Sequence, residues 1–288
     1  MQNIFVRDAV KASHGRLLSG DADAQLAYIS IDSRTAGKKA LFVPLIGEKQ
    51  DGHRFIMAAL EQGAAAVFTS EHSEESEEVK AAAKRWPGAA FIQVDDTRRA
   101  LQELGAYIRS RLTIPLVGIT GSVGKTTTRE MVAAALSAGF HVFKTPANHN
   151  SQVGVPLTLS QISDTDEIGV LELGMSEPGE MTVIAQIAAV DMAVITNVGV
   201  THIENLGTRE NILREKLKIQ DGMRADGPVF LNGDNDLLGI SRAREGHKTV
   251  YFGTGENADY RAVDIRLERG CPSFTMVHGE RRIPVTLS

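Results

Sequence analysis

The sequence predicts an α/β protein in which a small N-terminal α/β domain precedes a central domain with a mostly parallel sheet. Three observations carry that reading. Short apolar runs alternate with helical patterns, 42% of the 288 residues are apolar, and Pro115 to Glu130 reads as strand, glycine turn and helix start. From the N-terminus, β-like runs at Leu26 to Ile31, Ala40 to Leu45 and Ala64 to Thr69 surround one helical pattern, Gly52 to Gly63. The acidic run Glu71 to Glu78 reads as a solvated loop and helix start. A strand at Ala89 to Val94 and a helix at Thr97 to Arg111 lead to Pro115. A domain boundary is expected between residues 84 and 110, giving domains of 1–84 and 85–288.

Strand and helix then repeat: Leu116 to Thr120, helix Lys125 to Ala138, Val142 to Thr145, Ile168 to Leu173, helix Gly179 to Ala188, and Met192 to Asn197. Such alternation favours a parallel sheet with helices on both faces and ligands at the carboxyl ends of the strands. Further strands are expected at Pro228 to Asn232 and Thr249 to Phe252. Asp259 to Leu287 suggests antiparallel strands turning at His278 and Gly279. No internal repeat or low-complexity linker interrupts this order.

Composition excludes several classes of function. A net charge of −5 offers no general attraction to nucleic acid or anionic membranes. Cys271 is the only cysteine, which rules out an intrachain disulfide framework or a multi-cysteine zinc site and fits a reducing cytosol. Met1 to Asp8 carries no basic region leading into a long apolar run, and no window reaches eighteen consecutive apolar residues. The expectation is a cytoplasmic protein with neither nucleic acid nor membrane as partner.

The stretch P-L-V-G-I-T-G-S-V-G-K-T-T-T-R-E has the chemistry of a phosphate cradle, which makes the central domain P-loop-type. A polyphosphate needs several backbone N–H groups aimed inward. Gly121 and Gly124, flanking Ser122 and Val123, let the backbone approach with no Cβ in the way. Lys125 supplies a cation, Thr126 a hydroxyl suited to Mg²⁺, and Thr127 reinforces the positive end of the new helix. The full G-x-x-x-x-G-K-[ST] pattern wants glycine where Ile119 stands, so only its G-x-x-G-K-T core is present. The competing reading is a plain tight strand-to-helix turn.

Four other stretches offer chemistry. Ile168 to Gly174 ends an apolar run in Glu172, a natural Mg²⁺ ligand beside a phosphate loop or else a solvent-exposed strand end. Val194 to His202 runs a third strand into a loop bearing Asn197 and His202, where topology favours a metal or phosphate contact. Thr145 to Pro156, rich in amides and hydroxyls, suits a polar substrate, and turn formation explains half of it equally well. Ser30 to Arg34 offers a guanidinium fork for a diphosphate, with a surface ion pair between Asp32 and Arg34 as an equal alternative. Lys216, within R-E-K-L-K-I, reads by pattern as the solvated face of a helix.

Together these segments resemble the Mur ligases, ATP-dependent enzymes that add amino acids to the peptidoglycan precursor, over almost the whole chain. Asp32 to Arg34 with Leu41 to Phe55 is similar to the family's UDP-precursor domain. Glu172 to Glu180, E-L-G-M-S-E-P-G-E, resembles the branch that adds D-alanyl-D-alanine to UDP-N-acetylmuramoyl-tripeptide; the branch that adds the third residue carries E-V-S-S-H there. The loop A-N-H-N-S-Q-V-G-V-P resembles the same branch, with Ser151 where a second asparagine is common.

The resemblance implies roles. Gly121 to Thr127 would hold ATP, with Asn232 of N-G-D-N-D on the adenine side. Thr126, Glu172 and His202 would serve two Mg²⁺ ions, joined by Lys216 as a carbamylated lysine whose anionic oxygens are ligands. Lys125, His202 and Lys216 would be catalytic. Ser33, Arg34, Asn148, Asn150 and Ser151 would contact substrate. ATP would activate the precursor's terminal carboxylate as an acyl phosphate, which the amine of D-alanyl-D-alanine attacks. Family resemblance implies a monomer, and a third domain that this chain does not reach before Ser288. Turnover by the chain unaided is therefore not expected. A third-residue ligase and a non-catalytic nucleotide-binding module remain as alternatives.

Overall fold

The computed structural model describes residues 1, 3–48, 50–224, 226–268 and 270–287; Lys49, within the stretch from Leu41 to Phe55, and Ser288 lie outside the described residues. The chain forms two compact units. One comprises Met1–Ile114 with Thr145–Glu167, the other Pro115–Lys144 with Ile168 onward.

The first unit is built on a five-stranded sheet in the order Arg16–Ser19, Ala90–Gln93, Ala66–Thr69, Ala40–Phe42, Tyr28–Ser30. Its neighbours are parallel except at the Arg16–Ser19 edge. Every residue of Ala40–Phe42 and Ala66–Thr69 is buried, as continuous apolar runs are in a parallel sheet covered on both sides. Phe42, Val67 and Phe91 pack with Ile56, Leu60 and Val79 into one core cluster. The run expected as a single strand from Leu26 to Ile31 is two. Gln25–Leu26 pairs with Ile4–Phe5, whereas Tyr28–Ser30 joins the main sheet, and the intervening Ala27 N–H already bonds to Lys39 O beside strand Ala40–Phe42. The helical pattern at Gly52 to Gly63 opens as a 3₁₀ turn, Gly52–Phe55, capped by the Asp51 carboxylate, before the α-helix Ile56–Glu61.

The second unit carries nine strands in the order Val142–Lys144, Ile168–Glu172, Leu116–Thr120, Met192–Ile195, Pro228–Asn232, Lys248–Gly253, Tyr260–Glu268, Cys271–His278, Arg281–Thr286. All pairings are parallel up to Tyr260–Glu268, and the last two are antiparallel, as expected for a mostly parallel sheet. After Leu116–Thr120 the chain moves to one side of that strand, and from Met192–Ile195 onward it builds the other. The carboxyl ends of these two neighbours are therefore the switch point of a doubly wound sheet, where such folds open a crevice.

The boundary between units falls later than the expected cut at residue 84. Ala90–Gln93 pairs in parallel with Ala66–Thr69, so a cut there would split a hydrogen-bonded sheet. Helix Thr97–Arg111, capped by Asp96, belongs to the same unit. So does the segment Thr145–Glu167, expected in the central domain, because its helix Gly154–Leu159 lies against Thr97–Arg111. At Gly105 a Cβ would come within 2.8 Å of Pro156 Cβ, and glycine permits that approach.

Candidate nucleotide site

Strand Leu116–Thr120 delivers the phosphate loop into helix Lys125–Leu136. Gly124 turns the chain with φ of +81°, a conformation that favours glycine. A Cβ on Gly121 would lie 1.9 Å from Thr196 Oγ1, so no side chain fits the floor of the loop. The loop is fastened on all sides. Lys125 Nζ donates to Gly121 O at 2.9 Å, Thr196 Oγ1 to Val123 O at 2.6 Å, and Ser122 N–H to Asn197 O at 2.9 Å. Ser122 is buried, and its Oγ accepts the Gly199 N–H. Val123, Thr126 and Thr127 are exposed at the mouth.

Glu172 ends strand Ile168–Glu172 with its side chain buried, not solvated as the alternative reading had it. Thr126 Oγ1 donates to Glu172 Oε2 at 2.9 Å. Arg129, buried and one helical turn beyond Lys125, brings Nη1 to 3.5 Å from the same oxygen and pairs with Glu130. Sequence reasoning missed Arg129, since an arginine at that spacing looks like any solvated helix residue. The hydroxyl and carboxylate oxygens of Thr126 and Glu172 form a hard donor pair of the kind that suits Mg²⁺.

The loop after Met192–Ile195 lies along the phosphate loop. His202 is half-buried at φ +63° and opens the short helix Ile203–Leu206. No hydrogen bond among the described residues joins its ring to Glu172 or Lys216. Asn232 spends its amide within the protein: Nδ2 donates to Thr196 O at 2.9 Å and Oδ1 accepts the Asp234 N–H at 3.0 Å.

Lys216 departs most from its sequence pattern. Helix Arg209–Leu217 turns it inward to 2% exposure. The adjacent Glu215 carboxylate anchors that orientation by accepting the N–H groups of Gly179 and Met181 at the start of helix Glu180–Ala188. Burial, reinforced by the nearby Lys125 ammonium and partly offset by Glu215, lowers the Lys216 pKa to about 7. A large fraction of this side chain is therefore a neutral amine near neutral pH.

In the first unit, Arg34 forks onto Asp32, with Nε 3.0 and 3.1 Å from the two carboxylate oxygens and Nη2 at 2.6 Å, and remains largely exposed. This pairing holds the Asp32 carboxyl down to about 2, chiefly through the Arg34 side chain. Ser33 opens the turn that Asp32 caps. Asn148 and Ser151 are exposed and Asn150 is half-buried. Ser151 Oγ accepts the Gly154 N–H at 3.2 Å, so it helps start helix Gly154–Leu159. Asp51, His53 and Glu71 lie close enough to share a cation. The His53 ring is already committed, however. Nε2 accepts the Ser70 N–H at 3.0 Å, leaving the proton on Nδ1, which faces Asp51 Oδ1 at 2.7 Å. No ring lone pair remains for an ion.

Two family models match the chain: the Mur ligase middle domain over residues 119–288, and the Mur ligase family catalytic domain over residues 25–109. UDP-N-acetylmuramoyl-tripeptide--D-alanyl-D-alanine ligase of Bacillus subtilis (strain 168) is 38% identical over 248 residues, which are 86% of this chain and 52% of that protein. Among solved structures, MurF from Acinetobacter baumannii is similar with a TM-score of 0.86 at 28% identity, over 98% of this chain and 60% of that one. MurF ligase from Thermotoga maritima in complex with ADP is similar with a TM-score of 0.77 at 28% identity, over 91% and 58%. The chain spans about half the length of the curated relatives it matches.

Proposed function

The chain belongs to the Mur ligase family, and on that premise we propose that it serves the MurF-type reaction, ATP-dependent ligation of D-alanyl-D-alanine to UDP-N-acetylmuramoyl-tripeptide. The observation that carries this reading is the phosphate loop with its Thr126–Glu172 oxygen pair, beside a buried Lys216 close enough to Lys125 to feel its charge. The Lys125 ammonium and the loop amides at the carboxyl end of a parallel strand suit a polyanion, and the neutral Lys216 amine leaves a nucleophile beside them. In this reading, Gly121 to Thr127 bind the ATP phosphates, and Asn232 shapes the nucleoside end.

Thr126, Glu172, His202 and carbamylated Lys216 would hold two Mg²⁺ ions, which neutralise charge between the precursor carboxylate and the γ-phosphate when bound. The Lys216 amine is suited to carbamylation because its neutral form adds CO₂, forming an N–C bond and releasing one proton to solvent. Lys125 adds a positive charge that lowers repulsion as the carboxylate approaches, and the loop amides orient the phosphates. Ser33 and Arg34 would contact the UDP-precursor diphosphate, for which Arg34 must turn from Asp32. Asn148, Asn150 and Ser151 would contact the polar part of a substrate. A monomer working in the cytoplasm completes the reading; among the described residues no helix is long and apolar enough to cross a membrane.

The test incubates the protein with Mg-ATP, UDP-N-acetylmuramoyl-tripeptide and D-alanyl-D-alanine, following ADP and the pentapeptide by mass spectrometry. A product specific to D-alanyl-D-alanine is expected. Incorporation of a free diamino acid or lysine in its place would replace the assignment with a third-residue ligase. Nucleotide binding without phosphate release under every acceptor would reduce it to a binding module.

A further inference from the structure

Three successive carbonyls in the loop after strand Met192–Ile195 are each held by a donor. Asn232 Nδ2 bonds to Thr196 O at 2.9 Å, and Ser122 N–H to Asn197 O at 2.9 Å. Arg209 Nη2 bonds to Val198 O at 2.9 Å, with Asn235 Nδ2 at 3.3 Å from the same oxygen. Arg209 is the only charged donor of the set. Its fork also grips Asp236, with Nη1 2.8 Å from Oδ2 and Nη2 2.5 Å from Oδ1. The other side of the loop touches the phosphate loop through Thr196 Oγ1 on Val123 O and the Gly199 N–H on Ser122 Oγ. One guanidinium thus ties the segment after strand Pro228–Asn232 to a loop that braces the phosphate cradle. Arg209 is also the first residue of the helix that carries Lys216 two turns on.

We propose that Arg209 is a positioning residue for nucleotide binding: paired bidentately with Asp236, it holds Val198 and so sets the loop 196–201 against the phosphate loop. The proposal rests on the nucleotide reading above. Its chemistry asks for arginine, since a planar fork can bond a carboxylate and a carbonyl at once, whereas a lysine ammonium offers no such fixed geometry. Arg209 is about a third exposed and Asp236 more so, and an ion pair this open adds little to global stability. Its work is in local geometry, where a small displacement of phosphate donors weakens binding strongly.

The test compares wild type, Arg209→Ala, Arg209→Lys and Asp236→Asn by calorimetric titration with Mg-ADP, by thermal melting without nucleotide, and by amide hydrogen exchange. Arg209→Ala should bind Mg-ADP about tenfold more weakly, with Arg209→Lys and Asp236→Asn intermediate and all melting points unchanged. Exchange at the Gly199 and Ser122 amides should quicken in Arg209→Ala while the strand amides of Val117 to Thr120 stay protected. Mg-ADP affinity within about twofold of wild type together with unchanged Gly199 exchange would overturn the proposal. So would a loss of affinity matched by a fall in melting point in both Arg209→Ala and Asp236→Asn, which would mark a merely structural pair. Failure of wild type itself to bind Mg-ADP would instead defeat the nucleotide reading, and the exchange comparison would then decide for or against Arg209 on its own.

Discussion

The polar loops at the carboxyl ends of the two parallel sheets handle their charges in opposite ways. In the first unit, Arg34 is folded onto Asp32, and His53 is shared between Asp51 and the Ser70 N–H. In the second, Lys216 is buried within reach of the Lys125 charge, and its ammonium is disfavoured for that reason. Charges that already satisfy each other are silent about a ligand. Like charges gathered at a switch point cost stability in the free protein and are offset when an anion arrives, which is why the second unit's site can be read from geometry and the first unit's cannot.

Lys125→Ala should have the largest effect on this contrast. Loss of the loop's charge-assisted donor is expected to weaken Mg-ADP binding by about 10²-fold or more with the fold intact, measured by titration calorimetry beside circular dichroism. A well-folded variant that binds normally would remove Lys125 from the site. Lys216→Met tests the stored cost. The folded pKa of about 7 lies below the ordinary value of 10.5, so between these pH values the unfolded chain holds a proton that the folded chain lacks. Wild-type stability should therefore rise with pH across this window, and the penalty is complete below pH 7. Lys216→Met should accordingly be more stable than wild type at pH 6, by on the order of 4 kcal/mol, and lose most of that advantage towards pH 10. A pH-independent difference in chemical denaturation would show that burial imposes no such cost. Arg34→Ala should be the mildest: its exposed pair predicts an unchanged melting point, and any effect should appear only as weaker binding of a uridine diphosphate. A clear fall in melting point would mean that the Asp32–Arg34 pair is structural.

Much of the fold was legible where it is local. Leu116–Thr120, Pro228–Asn232 and Thr97–Arg111 occupy the spans that apolar patterning and flanking Pro and Asp residues indicate. Helix Val6–Ala12 and strand Arg16–Ser19 were not anticipated; the strand has no fully buried residue, so its pattern is weak. Glu172 was readable as a strand-end carboxylate, but its burial against Thr126 and Arg129 was not. The boundary at residue 84 failed because pairing of Ala66–Thr69 with Ala90–Gln93 is a contact between distant segments, which no window of sequence displays.

The phosphate loop follows from some ten consecutive residues, since glycine freedom, a following lysine and a helix start are all local properties of the chain. The inward turn of Lys216 does not. The alternating charges of R-E-K-L-K-I fit a solvated helix face, and what reverses that reading is Glu215 bonding to the start of another helix, 36 and 34 residues away in sequence. The same holds for Thr196 beneath Gly121 and for Arg209 on Val198. Each depends on strands brought side by side by the sheet, and only that assembly sets which charges are paired and which are left facing one another.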